Sequence, residues 1–398
     1  MSRIAYITVK SPFGPGETFI LTEMLALKKM GVDFIIFPRD KSLQLRHAKG
    51  EVLRDNTLSY PRFNVKIAFE LLKFALSHPV LFFVLLNETA IKAVSPKIAL
   101  KNLAIFPKGV FLARVIKSES ITHIHSHWAS TTSTMAYIAS RITNIPWSYT
   151  AHRWDITENN LLKTKCKSAS FARIINNKAR NEIANITKDN ALAGKMLNIH
   201  MGVEIPEQGR KYDKGPRCFT VLCPGNLVHL KGHKYLIEAC GILSKRGIDF
   251  KCIAAGIGPL EGSLKKMCRL MGLEKKVNFH GLISHERLME MYRMGEVDAV
   301  VLPSITYKNE KEGIPVALME AMAHCIPVIS TNTGGIPELI GDGSGIMVAE
   351  KNPEAIAGAM EKLMTDRTYY EKIGKKGRMK IERDFNLDRI SAELVALF

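Results

Sequence analysis

Short apolar runs alternate with amphipathic stretches along the whole chain, and this alternation limits the possible folds more than any other feature. The runs in the first half are residues 4–9, 34–37, 121–125, 147–150, 173–176 and 197–200. Those in the second half are residues 219–223, 250–254, 277–279, 299–302 and 328–330. Runs that are apolar throughout are typical of strands covered on both faces. The pattern therefore predicts an α/β protein built on parallel sheets.

Helical periodicity fills the intervals between these runs. It is clearest in residues 19–30, 131–141, 179–185, 234–246, 260–271, 286–294 and 316–323. The alternation breaks near residues 204–216, a polar and turn-rich stretch that suits a linker. A chain of 398 residues is comfortable for two domains of about 200 residues each.

We therefore predict two Rossmann-like, doubly wound domains that face an interdomain cleft. The N-terminal domain is expected at residues 1–205 and the C-terminal domain at residues 206–375. A helical segment at residues 376–398 is expected to cross back to the N-terminal domain. Ligands of doubly wound sheets bind beyond the carboxyl ends of the strands, so functional residues are expected there.

The charge is strongly positive and unevenly spread. The formal net charge is +18, of which residues 1–205 carry +14 and residues 206–398 carry +4. Such an excess favours an anionic partner, namely a membrane surface, a nucleic acid or a phosphorylated substrate. A nucleic-acid partner is not expected, because the chain has no basic stripe interleaved with aromatic residues. The 7 cysteines include no Cys-x-x-Cys pair, which argues against a disulfide scaffold or a zinc ribbon.

Residues 61–118 fit the alternating plan poorly, because apolar clusters are broken there by many lysines and few acids. Two interpretations stay open: a basic element that lies on a membrane surface, and a helical pair packed on the domain with its lysines in solvent. The longest apolar run, residues 80–86, is too short to span a bilayer. We expect a cytoplasmic protein, with peripheral attachment to the inner face of the membrane as the open alternative.

The segment from Glu312 to Ala323 carries the strongest chemical signal. Pro315 suits the first turn of a helix, and a helix N-terminus is a site for phosphate. Glu312 lies before this helix and Glu320 within it, and carboxylates accept hydrogen bonds from hydroxyl groups. A ligand that combines phosphate with a sugar on one side and a ribose on the other would use all three features.

This Glu-x7-Glu segment resembles the signature of the retaining family 4 of nucleotide-sugar glycosyltransferases, which have the GT-B fold. The resemblance extends to other segments in the same order along the chain. These are residues 16–20, 150–156, 224–232, 256–260 and 279–281. The amino-acid sequences of residues 312–322 and 335–339 are most similar to those of the colanic-acid and exopolysaccharide branch. The resemblance does not specify the sugar.

The resemblance implies a role for each matching donor-side residue. Lys231 would neutralise the donor diphosphate, and Glu312 would contact hydroxyls of the transferred sugar. Asn226 stands where the family usually has Arg, so the diphosphate would depend more on Lys231 and on backbone N–H groups. The expected donor-binding residues are Gly225, Asn226, Gly256, Gly258, Leu282, Gly313, Ile314, Val316, Ala317 and Glu320.

The resemblance also implies an acceptor side and a third catalytic residue, His152, near the donor sugar. The acceptor-side residues are expected to be Gly16, Glu17, Thr18, His127 and Trp128, with Trp128 stacking on a sugar ring. The His125-x-His127 spacing allows a metal, but no third ligand is evident and the family is generally metal-independent. No cofactor is therefore expected.

Together these features predict a retaining hexosyltransferase that uses a nucleotide diphosphate sugar. UDP-sugars are the expected donors, and a glycan or a polyisoprenyl-linked glycan of polysaccharide biosynthesis is the expected acceptor. The alternatives are a GT-B sugar-nucleotide epimerase or phosphorylase, or a transferase that acts on small natural products. A catalytically inactive sugar-binding scaffold is disfavoured because His152, Lys231, Glu312 and Glu320 are all present.

Overall fold

The computed structural model describes residues 2–13, 17–41, 48–207 and 218–398. The chain divides into two compact units: unit 1 is Met1–Met201 with Asp388–Phe398, and unit 2 is Gly202–Leu387. The division falls at Gly202 rather than at the predicted residue 206. The returning segment starts at Asp388 rather than at residue 376, because Arg367–Asp384 is one continuous helix of unit 2. Much of the predicted linker, residues 208–217, lies outside the described residues.

Unit 1 contains a six-stranded parallel sheet with the order β2-β1-β3-β4-β5-β6. Its strands are β1 (Arg3–Thr8), β2 (Asp33–Pro38), β3 (His123–His127), β4 (Trp147–Ala151), β5 (Phe171–Ile174) and β6 (Met196–Asn198). Its helices before the second unit are α1 (Thr18–Lys29), α2 (Val65–Ser77), α3 (Pro79–Leu86), α4 (Pro96–Ser118), α5 (Thr131–Thr143), α6 (Arg153–Glu158), α7 (Leu162–Ser168) and α8 (Asn177–Thr187). Short 3-10 turns lie at Ala48–Leu53 and Asn190–Lys195, and a π-helical turn at Asn87–Ile91.

Unit 2 repeats this plan with the strand order β12-β11-β10-β7-β8-β9, again all parallel. Its strands are β7 (Thr220–Pro224), β8 (Lys251–Ala255), β9 (Val277–Gly281), β10 (Ala299–Leu302), β11 (Val328–Thr331) and β12 (Ile346–Val348). The remaining helices are α9 (His233–Lys245), α10 (Glu261–Leu270), α11 (His285–Arg293), α12 (Val316–Ala323), α13 (Ile336–Ile340), α14 (Pro353–Thr365), α15 (Arg367–Asp384) and α16 (Leu387–Val395). A 3-10 turn lies at His229–Lys231. The prediction of two doubly wound α/β units is confirmed.

Both faces of the central strands are covered, which explains the continuous apolar runs in strands such as β1 and β10. In β1, Ala5 and Ile7 belong to one buried cluster, whereas Ile4 and Tyr6 belong to the cluster on the other face. Successive side chains of a strand point to opposite faces, so each face of the sheet has its own apolar layer. The strand β12 was not predicted; its residues are only half-buried or exposed.

Residues 61–118 form α2, α3, the π-helical turn and α4, all of which lie between β2 and β3 in the sequence. They are more than the predicted helical pair. The last helix, α4, is packed into the core through Ile105, Phe106 and Ile116. Within the described residues, no single helix is long and apolar enough to cross a membrane, although Val65–Ser77 and Pro79–Ile91 pass that test as a pair bent by 113°.

Candidate active site

Two glycine-rich loops meet at the carboxyl ends of β7 and β8. A Cβ atom on Gly256, where φ is +157°, would lie 2.0 Å from the carbonyl oxygen of Gly225, and one on Gly258 would lie 2.5 Å from that of Leu227. Only glycine allows backbones to approach this closely. The structure thus brings together three predicted donor-binding residues, Gly225, Gly256 and Gly258, with Asn226 exposed beside them.

Lys231 and Glu312 form an ion pair in unit 2. The Lys231 Nζ lies 2.5 Å from Glu312 Oε1, and Ser304 Oγ donates to the same oxygen at 3.1 Å. Lys231 is the last residue of the turn His229–Lys231, which is followed by Gly232 at φ +69°. A Cβ atom at Gly232 would lie 1.8 Å from the carbonyl oxygen of Pro303, so the loop after β7 rests directly on the end of β10.

The backbone of Glu312 is held by a glycine pair that sequence reasoning missed. The N–H of Gly335 donates to the Glu312 carbonyl at 3.1 Å. A Cβ atom at Gly334, where φ is +56°, would lie 1.8 Å from the same oxygen. The signal was present in the sequence, because this Gly-Gly pair lies shortly after the predicted strand at 328–330. Gly334 and Gly335 are positioning residues for Glu312.

The helix α12 spans Val316–Ala323, the bounds that the helical periodicity predicted. Pro315 is its N-cap rather than a residue of its first turn, and the Pro315 carbonyl accepts from Leu318 N–H at 3.0 Å. Val316 and Ala317 are therefore the first two helical residues, whose N–H groups have no acceptor within the helix. Gly313, Ile314 and Pro315 separate them from Glu312, so the predicted phosphate-binding N–H groups lie on the segment that carries Glu312.

Glu320, on α12, is paired with a histidine of α11. Its Oε1 lies 2.7 Å from His285 Nε2, and the Glu320 side chain is 14% exposed. His285 is the first residue of α11, which begins after an exposed Leu282. Sequence reasoning missed His285, and the only available signal was its place after the predicted strand at 277–279.

In unit 1, His152 belongs to a chain of buried polar groups. Its Nε2 lies 3.5 Å from His127 Nδ1, His127 Nε2 lies 2.9 Å from Glu23 Oε1, and Glu23 Oε2 lies 2.5 Å from a guanidinium nitrogen of Arg173. A carboxylate only accepts, so His127 donates from Nε2 to Glu23.

Burial and the neighbouring charges set the protonation of this chain. Burial lowers the pKa of His152 well below its usual range, and His127 and Arg173 lower it further, so His152 is neutral near pH 7. Burial opposes the ionisation of Glu23, but Arg173 and His127 together hold the pKa of Glu23 well below its usual range. Sequence reasoning missed Glu23 and Arg173, which position His127 and, through it, His152.

The predicted acceptor-side residue Glu17 has both carboxylate oxygens in use within unit 1. Oε1 accepts from Trp128 Nε1 at 2.8 Å, and Oε2 accepts from the N–H groups of Lys10 and Ser11 at 2.7 Å each. Glu17 therefore ties the loop after β1 to Trp128. Gly16 lies outside the described residues, as does the side chain of Thr18, the first residue of α1.

Aromatic rings cover His152. The ring centroid of Trp128 lies 4.2 Å from that of His152 and 5.3 Å from that of Trp154. Trp154 is 53% exposed, whereas Trp128 is half-buried beneath it. Trp154 is thus the tryptophan of this cluster with the more accessible ring.

Asp155 joins the ends of β3 and β4. Its Oδ2 accepts from Ala129 N–H at 2.6 Å and from His152 N–H at 3.2 Å. Burial raises the pKa of Asp155 to about 6, against the effect of these backbone hydrogen bonds. The carboxyl group of Asp155, in the predicted motif at residues 150–156, is therefore structural, and it orients the backbone at His152.

The strand β3 spans His123–His127 instead of ending at His125, because residues 123–127 are all buried. His125 Nδ1 lies 2.8 Å from Ser148 Oγ, and its Nε2 lies 3.0 Å from Thr150 Oγ1. Both ring nitrogens of His125 are thus engaged by β4. Among the described residues, no group of three or more His, Cys, Asp or Glu side chains could hold a metal ion.

Comparison with known proteins identifies relatives of part of this chain. The family model "Glycosyl transferases group 1" matches residues 204–380. WcaL of Escherichia coli (strain K12), described as a colanic acid biosynthesis glycosyltransferase, is 37% identical over 209 residues, which cover 51% of this chain and 50% of WcaL. The amylovoran biosynthesis glycosyltransferase AmsK of Erwinia amylovora is 36% identical over 197 residues, covering 49% and 48% of the two chains.

The chain spans about half the length of the curated relatives it matches. A structural likeness extends over the whole chain: Anabaena Alr3699/HepE, solved in complex with UDP and glucose, superposes with a TM-score of 0.71 at 15% identity, covering 100% of this chain and 99% of that one. At this identity the likeness concerns the fold. Residues 204–380 thus match the glycosyltransferase group 1 model, and the chain has two Rossmann-like units, as in the GT-B fold.

Proposed function

We propose that this chain is a retaining family 4 hexosyltransferase that uses a nucleotide diphosphate sugar, with UDP-sugars as the expected donors. The proposed acceptor is a glycan, free or polyisoprenyl-linked, in exopolysaccharide biosynthesis. The observation that carries the proposal is the Lys231–Glu312 pair, which lies just before the N-terminus of α12 within the matched residues 204–380. The names of WcaL and AmsK, both from polysaccharide biosynthesis, support the choice of acceptor.

On this proposal each donor-side group has one task. Lys231 and the N–H groups of Val316 and Ala317 bind the diphosphate, whose negative charge increases as it leaves. Glu320 accepts hydrogen bonds from the ribose hydroxyls, and Glu312 accepts from hydroxyls of the transferred sugar. Lys231 is paired with Glu312, and on this proposal donor binding exchanges this partner for the diphosphate.

The proposed reaction proceeds on one face of the sugar. The bond between C1 and the β-phosphate oxygen breaks, a bond from C1 to the acceptor oxygen forms, and the acceptor proton moves to the departing phosphate. No protein base is required. His152 is proposed to contact the transferred sugar as a neutral group, consistent with its lowered pKa.

A donor panel tests this proposal. The chain is incubated with UDP-glucose, UDP-galactose, UDP-N-acetylglucosamine and GDP-mannose, and the release of nucleoside diphosphate is measured. We expect slow hydrolysis of at least one donor, and its loss in Lys231→Ala. Retention is then read from the anomeric configuration of the first transfer product by NMR. Failure to bind or hydrolyse any nucleotide sugar would overturn the proposal.

We also propose that the reaction needs no metal, because Lys231 supplies the cation at the diphosphate. Addition of a chelator should leave donor hydrolysis unchanged. A complete loss of hydrolysis that Mn²⁺ or Mg²⁺ restores would contradict this part of the proposal and leave the donor assignment standing.

A further inference from the structure

One region of unit 1 exposes far more apolar surface than the rest of the chain. More than half of the large apolar side chains that are exposed in the described residues lie between residues 63 and 103. We define the α2–α3 surface by six of them: Val65, Phe69, Leu72, Leu76, Val80 and Phe83, which are 59–85% exposed. Exposed apolar patches of this kind mark interaction sites.

The exposed residues of α2 follow helical spacing. Val65, Phe69, Leu72 and Leu76 are separated by four, three and four positions, so they form one stripe. The opposite side of α2 is packed on the core through Ile67 and Phe74. The helix is therefore apolar on both sides, and core packing explains only one of them.

The α3 helix continues this surface around the bend. All eight of its residues are apolar, and only Leu85 is buried. An open pocket of about 380 Å³ lies at the bend, with Pro79, Val80 and Val84 among its lining residues. The region thus offers exposed apolar side chains on both arms of a 113° bend.

The charges beside this surface are lysines without acidic partners. Lys66, Lys73, Lys92 and Lys97 are exposed, and none makes an ion pair with another described residue. Lys66 and Lys73 lie roughly 80–100° around α2 from the apolar stripe, at its edge. Lysines in that position extend their charge away from apolar surface.

Both acids of residues 61–103 are paired. Glu70 is bound by Arg114, and Glu88 lies 2.8 Å from Arg141. The surface therefore presents apolar side chains and positive charge, with its carboxylates neutralised. A second copy of the chain would bring lysines against lysines in a two-fold contact, whereas an anionic bilayer supplies both an apolar layer and negative charge.

We propose that the α2–α3 surface docks on an anionic lipid bilayer, with its apolar side chains in the interfacial layer and Lys66, Lys73, Lys92 and Lys97 at the headgroups. Because Ile67 and Phe74 hold α2 on unit 1, the helices lie along the membrane plane. This proposal does not depend on the proposed transferase activity. An enzyme confined to this surface would meet lipid-linked acceptors at high local concentration.

Co-sedimentation of the full chain with vesicles tests the proposal. We expect binding to vesicles of phosphatidylcholine with phosphatidylglycerol, weaker binding to phosphatidylcholine alone, and a loss of binding as salt shortens the Debye length below about 8 Å. The variant Leu76→Glu/Val80→Glu/Phe83→Glu should bind at least about tenfold less. Its matched control is Leu270→Glu/Met347→Glu/Met379→Glu, at residues of unit 2 that are 79%, 42% and 65% exposed, and it should lose much less binding.

The lysines are tested with equal changes of charge. Replacing Lys66, Lys73, Lys92 and Lys97 with Glu should abolish binding to the anionic vesicles. The same change at four exposed lysines of unit 2, Lys266, Lys275, Lys372 and Lys375, should weaken it much less. Equal losses in the two quadruple variants would show that net charge alone attracts the protein, and would overturn the assignment of this surface.

Sedimentation velocity separates the bilayer from a second copy. A concentration-dependent dimer that the triple variant of the α2–α3 surface abolishes, without any vesicle binding by the wild type, would assign the surface to self-association and overturn the proposal. Absence of binding to anionic vesicles at low salt would also overturn it. If this triple variant loses its cooperative melting transition, the single variant Val80→Ser replaces it. Val80 is 78% exposed, so this substitution removes little packing.

Discussion

Each unit contains an ion pair between residues that are far apart in the sequence, but the two pairs have different surroundings. In unit 1 the Glu23–Arg173 pair is almost wholly buried, with side chains no more than 1% exposed. In unit 2 the Lys231–Glu312 pair retains 22% and 11% exposure and lies between glycine-rich loops. The pair in unit 1 is enclosed by the protein, and we call its surroundings the sealed edge. The pair in unit 2 is accessible to an incoming ligand, and we call its surroundings the open edge.

This difference separates positioning from binding. Exchanging the partner of a buried ion pair has a high free-energy cost, because a charge left alone in the interior has neither its counter-ion nor water. A buried pair of this kind suits residues that must hold the rings of His127 and His152 in one orientation. A partly exposed pair loses less when a partner changes, so Lys231 can leave Glu312 for a diphosphate.

The largest expected effect is on the sealed pair. Arg173→Ala should lower the free energy of unfolding of unit 1 by about 3–5 kcal/mol, because it leaves Glu23 charged and buried without its cation. Unfolding is followed by tryptophan fluorescence, which reports on unit 1 because all 3 tryptophans, Trp128, Trp147 and Trp154, belong to it.

An exposed ion pair of the same unit provides the control. Arg54, paired with Glu51 at the surface, should be replaceable by Ala with little change in the fluorescence transition. The double variant Glu23→Gln/Arg173→Met should lose less stability than Arg173→Ala alone, because no charge is left buried. An Arg173→Ala protein as stable as the wild type would refute the contrast between the two edges.

The alternation of apolar runs and helical periods predicted both sheets, because burial on two faces leaves a continuous apolar signature. Strand ends were shifted by one or two residues, as at β3, where the polar side chains of His123, Ser126 and His127 hide a buried strand. The strand β12 was missed because an edge strand with half-exposed residues lacks that signature.

The loops expected on the donor side could be identified from local sequence, because most of them come after predicted strands. The partners of their residues could not. Glu23 and Arg173 are separated by 150 positions, and Glu320 and His285 by 35, so each pair exists only once the chain has folded. A charged residue in a helix, such as Glu23, is ordinarily read as a solvent-facing residue. Only the structure shows that it is buried.

The next effect concerns the open edge. Lys231→Ala should lower the turnover number by about 100-fold while changing donor affinity much less, because negative charge builds up on the diphosphate as it leaves. Steady-state kinetics and calorimetry measure the two quantities. Lys234→Ala, at a side chain that is 63% exposed, is the control and should behave like the wild type. Equal losses of turnover and affinity would mean that Lys231 binds ground state and transition state alike.

Acid should destabilise the sealed edge. Burial lowers the pKa of His123 to about 4, and those of His125 and His152 well below the usual range. Below pH about 6.5 these histidines bind protons in the unfolded chain but stay neutral in the native protein. The free energy of unfolding therefore falls as the pH falls. From pH about 6.5 to 5.5 each contributes about 1 kcal/mol, and Asp155, with its pKa raised to about 6, opposes them.

The net loss of stability over that pH unit is therefore roughly 2 kcal/mol, read from tryptophan fluorescence during denaturant unfolding. His125→Asn should reduce the pH dependence by about one histidine's share. The control is His233→Asn in unit 2, where burial also lowers the pKa to about 4, and it should leave the tryptophan-detected pH dependence unchanged. A stability of unit 1 that does not vary between these pH values would contradict burial of neutral histidines.

The smallest effect is expected at Glu320. Glu320→Ala should weaken donor binding by about tenfold, which is about 1.4 kcal/mol, near the low end for a charged hydrogen bond. The effect is small because the carboxylate already has a partner, so ribose hydroxyls replace the contact with His285 instead of adding to it. His285→Ala frees the carboxylate, and donor affinity measured by calorimetry should stay equal to that of the wild type or rise. Unchanged affinity in Glu320→Ala would remove this residue from the site. Equal weakening in both variants would mean that His285 and Glu320 act as one fixed pair, and the open edge would then be preformed like the sealed one.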